Sequence, residues 1–146
     1  MTKYLVFVGL FLTFFSCKEE KQEPSTSNET KVYNMYKPSE MALLMNQMYE
    51  YNLNLKHAIL NGETPTEFPL DFLKIHSAEM TKSFERDETF KSFAKLFIET
   101  NKQVYNTDSE MPIEERFNNV VNLCISCHQT SCTGPIPRIK KLLIQE

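Results

Sequence analysis

Tryptophan is missing from this sequence, and glycine nearly so, with three residues in a chain of 146. So few glycines leave little material for the turns of a β-sandwich or for a glycine-rich loop around a nucleotide's phosphates. A surplus of positive charge is also missing: 16 Lys and Arg face 19 Asp and Glu, for a formal net charge of -3. Without a basic excess the chain cannot neutralise a phosphate backbone, so nucleic acid is not expected as a partner. No nucleophile constellation or second acid–base pair stands out, so the chain is not expected to be an enzyme. What is present, 41% hydrophobic against 24% charged residues, suffices for the core of one domain, alone or with a tail.

The N-terminus reads MTKYLVFVGLFLTFFSC. Lys3 supplies a positive start, and Tyr4 to Phe15 form an apolar run of 12 residues. A helix needs about 20 such residues to span a bilayer, so residues 1–16 are read as a signal peptide. A cysteine directly after the run, Cys17, resembles the lipobox of bacterial lipoproteins, although Phe14 stands where that pattern has Leu. The resemblance implies lipidation at Cys17, export, and anchoring to a membrane, on its periplasmic face or at the cell surface. Residues 17–37 are polar and poor in aliphatic side chains, which predicts a flexible tether. The domain proper is expected over 38–146.

From Pro38 onward the apolar residues recur at helical spacing, and no strand alternation competes. Ser39 is a suitable N-cap and Asn61-Gly62 a suitable stop for a first helix. Its stripe is Met41, Leu44, Met48, Tyr51, Leu55 and Ala58, flanked by Met45, Asn52 and Ile59. A second segment, from about Pro69 to Phe84, carries Phe72, Leu73, Ile75, His76 and Met80. A third starts near Asp87 and is expected to bury Phe90, Phe93, Ala94, Phe97 and Val104. A fourth opens near Pro112, carries Ile113, Phe117, Val120, Val121, Cys124 and Cys127, and is expected to end at Gly134-Pro135. Four amphipathic helices with short links predict an all-α fold, an antiparallel four-helix bundle. The last residues, IPRIKKLLIQE, are expected to dock their apolar side chains on it.

Cys124-Ile125-Ser126-Cys127-His128 is a CxxCH motif near the C-terminus, the attachment signature of c-type haem. On one helical turn the two thiols are close enough to form thioethers with the two vinyl groups of one porphyrin, and the adjacent His128 supplies an axial iron ligand. Three other readings compete. A zinc ribbon needs a second CxxC pair, and only Cys132 lies nearby. A thioredoxin-like CxxC belongs at a helix N-terminus after a strand, whereas this one ends an apolar helix. A structural disulfide suits an exported chain, but three cysteines are an odd number and an i, i+3 pair in a helix is strained.

With this motif the chain resembles the class II c-type cytochromes, the cytochrome c prime type and its low-spin relatives. The resemblance covers roughly Pro38 to Cys132 and rests on helix order, motif position and a methionine-rich first helix. It implies one covalent haem between the helices and, for low-spin members, a methionine of the first helix as sixth ligand. Met45 and Met48 match that region, with His76 as the alternative for a bis-histidine site; His57 is expected in solvent. The pattern departs after His128, where Ser131 and Cys132 replace the aromatic and basic residues common in the group. The implied function is electron transfer by an exported monohaem lipoprotein to redox partner proteins, with homodimers common among relatives. The alternatives are a gas-binding or sensing haem protein and a haem-free lipoprotein whose cysteines form disulfides. Arg138, Lys140 and Lys141 are expected on a solvated face, with haem propionates as their other potential partners.

Overall fold

The computed structural model describes residues 37–145, and every regular element among them is helical. The first helix, α1, spans Glu40–Leu60. Ser39 caps it as expected, its Oγ accepting the Ala42 N–H at 3.1 Å. At the other end Asn61 is the C-cap, and Gly62 turns the chain with φ +79, a conformation that penalises any Cβ. The buried line is Met41, Leu44, Met48, Asn52, Leu55 and Ile59. Asn52 and Ile59 therefore lie inside, and Tyr51 and Ala58 at the edge. The C-terminal segment packs on α1 as well.

The second segment corrects the expectation. In place of a long α-helix the chain forms a seven-residue 3-10 helix, Leu70–His76, followed by non-helical chain up to Asp87. Its buried residues are Phe72 and Ile75, with Ala78 just beyond. That spacing of three matches the three residues per turn of a 3-10 helix, not the 3.6 of an α-helix. Pro69 at the entry brings no N–H to extend the helix backward. Arg86 closes the far end, its Nη2 donating to the Ala78 carbonyl at 2.6 Å.

The second α-helix, α2, spans Glu88–Val104, with the Asp87 carboxylate accepting the Phe90 N–H at 2.7 Å. Ala94, Phe97 and Val104 are buried as expected, together with Ile98 and Asn101; Phe90 and Phe93 are only partly buried. The third, α3, spans Ile113–Ser131 and buries Phe117, Val120 and Val121 against α2. Arg116 of α3 closes the end of α2, its Nη1 donating to the carbonyls of Gln103, Val104 and Asn106 at 2.8, 3.2 and 2.6 Å. A cation there also opposes the negative end of the helix dipole. α3 stops at Cys132, before the Gly134-Pro135 break expected to end it.

A short helix, α4 (Ile136–Ile139), and a 3-10 turn (Lys140–Leu142) follow. Ile139 and Leu142 are buried, so the tail docks as expected. No described helix is long and apolar enough to cross a membrane. Three long α-helices and a 3-10 helix thus stand where four long helices were expected.

Candidate functional site

The three side chains of the motif sit on the last two turns of α3 and line one cavity of about 600 Å³. That is within the range of small-molecule and cofactor sites. α1 lines the same cavity through Met41, Met45 and Met48, and α2 through Phe90 and Phe97. The structure therefore brings Cys124, Cys127 and His128 together with both methionines expected from the sequence. Met48 is buried and Met45 partly so.

His76 does not join them. It is exposed, because the three-residue period that turns Phe72 and Ile75 inward leaves the next residue facing out. His57 is exposed as expected. Cys17, the leader 1–16 and the tether up to residue 36 lie outside the described residues.

Cys124, Cys127 and Cys132 are free thiols. Burial, reinforced by the neighbouring Cys127, pushes the Cys124 thiol up to about 12. Cys127 is raised as well, by burial first and then by Asp87 and Cys132. Both remain protonated at neutral pH, the opposite of the low-pKa thiolate that a dithiol redox centre uses. Among the described residues no three of His, Cys, Asp and Glu are grouped to hold a metal ion.

The imidazole of His128 is held by the main chain. Its Nδ1 lies 2.9 Å from the Cys132 carbonyl oxygen. A carbonyl only accepts, so Nδ1 is the donor of this bond, and Nε2 is the ring nitrogen left free of it and available to ligate an iron. Free paired thiols, a tautomer fixed for ligation by Nε2, and a largely apolar cavity with methionines on its walls all fit a covalently attached haem.

Two further methionines share the cavity, Met41 and Met80. Met80 comes from the non-helical stretch after the 3-10 helix, which is stitched to the start of α1. The Met41 N–H donates to the Glu79 carbonyl at 2.9 Å, the Glu79 N–H to Glu40 Oε2 at 2.8 Å, and the Ser39 and Thr81 hydroxyls bond at 2.7 Å. The helical stripe read from the sequence already placed Met41 on the inward side of α1; for Met80 there was no comparable signal.

Asn52 is the one buried polar residue of the lining, 4% exposed; its Nδ2 donates to the Met48 carbonyl at 2.7 Å. Arg138, Lys140 and Lys141 are exposed, as expected for a solvated face, and Arg138 also borders the cavity and pairs with Glu50 of α1 at 2.7 Å. No family model, no curated protein and no solved structure matches this chain.

Proposed function

We propose that this protein is an exported monohaem c-type cytochrome that carries electrons. Cys124 and Cys127 hold the haem through thioethers, and His128 Nε2 ligates the iron. One observation carries this reading: all three motif side chains line a single apolar cavity whose other walls include Met45 and Met48. When bound, haem supplies one-electron exchange at its iron, and a histidine–methionine ligand pair raises the potential and suits outer-sphere transfer. The chain's own part is to orient His128 through the Cys132 carbonyl, offer a thioether from α1, and keep water away with Phe90, Phe97, Ile139 and Leu142. Arg138 at the wall has its charge already paired with Glu50, while Glu85 and Asp87 are negative lining residues. The haem then lies between helices, as in the class II cytochromes that the sequence resembles. Lipidation at Cys17 anchors the domain to a membrane, where redox proteins are its partners.

Absorption spectroscopy tests this on the full chain, exported in a host able to attach haem c. The expected result is covalently bound haem with a sharp reduced α-band and, when oxidised, the weak near-infrared band of methionine ligation. Replacing Met45 or Met48 by Leu removes that band in one of the two. Absence of covalent haem in a competent host sinks the proposal, and bands unchanged in both variants sink the assignment of the sixth ligand to this pair.

A further inference from the structure

The cavity lies between helices that meet only sparingly. α2 packs closely against α3, whereas α1 touches α3 little. The chain after Cys132 bridges them. On the α1 side, Arg138 Nη1 donates to Asn46 Oδ1 at 2.8 Å and Nη2 to Glu50 Oε1 at 2.7 Å. The same guanidinium lies 3.7 Å from the centre of the Tyr49 ring. Further along, Lys56 Nζ donates to the carbonyls of Lys141 and Leu143 at 3.0 and 2.7 Å. On the α3 side, Asn118 Nδ2 donates to the Ile144 carbonyl and its Oδ1 accepts the Ile144 N–H, both at 2.9 Å. Ile139 and Leu142 are buried beneath these bonds and line the cavity with Arg138.

We propose that residues 133–145 form a strap that sets the spacing between α1 and α3, with Arg138 and Lys56 as the positioning residues that keep an α1 methionine on the haem iron. This rests on the proposed function and adds to it what holds the sixth ligand. A thioether stays bound only while its sulfur remains at bonding distance; α1 shares the buried core with α3, but their direct contacts are few. Strap contacts supply the restraint, and they differ in character. The Asn118 pair ties the strap to the motif helix, whereas Arg138–Glu50 is exposed on both sides, 43% and 62%. Exposed ion pairs hold weakly, so this clasp is the part that gives way first. With the clasp closed, the site is that of a six-coordinate electron carrier. With it open, α1 withdraws its methionine and the cavity admits a small diatomic ligand. The two functions that the motif alone left open become two positions of one strap.

The test uses the full exported chain as wild type, as R138A, and as the double variant R138A/K56M. Mass spectrometry first establishes covalent haem, and circular dichroism establishes unchanged helix content. The wild type is expected to show the methionine-ligation band and to resist carbon monoxide. The double variant is expected to lose the band and bind carbon monoxide with an apparent affinity raised about tenfold or more, as a larger open fraction requires, with R138A between the two. The inference is overturned by a folded, haem-bearing double variant that keeps the wild-type band and stays inert, and equally by a wild type already open to carbon monoxide. A wild type without covalent haem overturns the proposed function and the strap with it, and mass alone identifies that outcome. Should R138A/K56M lose helix content, R138A alone decides between the same two results.

Discussion

His128 Nδ1 and the Cys132 carbonyl oxygen lie 2.9 Å apart at the end of α3, and the Cys132 N–H returns a bond to the His128 carbonyl at 3.1 Å. Two bonds between the same residues close the helix and set the tautomer of the imidazole. Here it is the main chain of Cys132, not a side chain, that holds the ring. Under the proposed function, an accepting carbonyl increases the electron-donating power of His128 as a ligand, which favours an oxidised iron.

Removing the attachment groups separates their roles. Cys124→Ser and Cys127→Ser are each expected to leave at most one thioether, and the double variant none. His128→Ala is expected to lose proximal ligation even where thioethers form. Denaturing gels stained for haem, read beside the reduced spectrum, check both. Full haem retention in the double serine variant contradicts covalent attachment through the motif.

Asp87→Ala deletes the cap of α2, whose carboxylate accepts the Phe90 N–H at 2.7 Å. The expected cost is about 1 kcal/mol. For a domain near 100 residues this lowers Tm by about 4–8 °C, measurable by thermal denaturation followed by circular dichroism. Asp87→Asn is expected to recover most of the loss, since Asn caps nearly as well.

Asn101 is 0% exposed, and neither its Nδ2 nor its Oδ1 has a hydrogen-bond partner. Burying unpaired polar atoms opposes folding, so Asn101→Leu is expected to stabilise the domain by about 1 kcal/mol. Urea denaturation measures this as a higher midpoint at unchanged slope. A lower midpoint would mean that the amide side chain contributes to the core through its shape.

Tyr105 is raised well above the ordinary tyrosine range, by burial first and then by its hydrogen bond to Tyr51, with the two hydroxyls 3.2 Å apart. A pKa raised by folding means that folding favours the neutral phenol. Its contribution to stability is full below the unfolded value of 10.0 and declines as pH rises above it. Tyr105→Phe is therefore expected to flatten the loss of stability above pH 10. Phenolate absorbance during alkaline titration should show one tyrosine that ionises only on unfolding. Ionisation of all tyrosines in the folded state contradicts the assignment.

The elements that were legible in advance are those whose signals are local. Ser39 and Asp87 cap their helices because an oxygen two or three residues from an unpaired N–H reaches it in any context, and Asn61-Gly62 stops α1 for the same kind of reason. The 3-10 helix was written in the spacing of Phe72, Ile75 and Ala78 but escaped an α-helical reading, because Leu73 and His76 also fit an α period when burial is unknown. An α period sets His76 beside Phe72 and its inward neighbours, whereas the 3-10 helix turns it outward, away from the cavity. Met41 was legible as part of the buried stripe of α1, whereas Met80 was not legible as a cavity residue, because the α-helix expected to carry it does not form.

The sequence by itself determined the helical character, the caps, and the grouping of two thiols and an imidazole on neighbouring turns, because each follows from covalent spacing along one helix. Tertiary structure alone decided that this motif opens into a cavity, that α1 brings methionines to it, and that the C-terminal segment becomes a wall. Those depend on residues as distant in the chain as Lys56 and Lys141, 85 apart. Contacts over such separations form only when buried surface offsets the entropy of closing the intervening loop, a balance struck by the whole fold and not by any stretch of it.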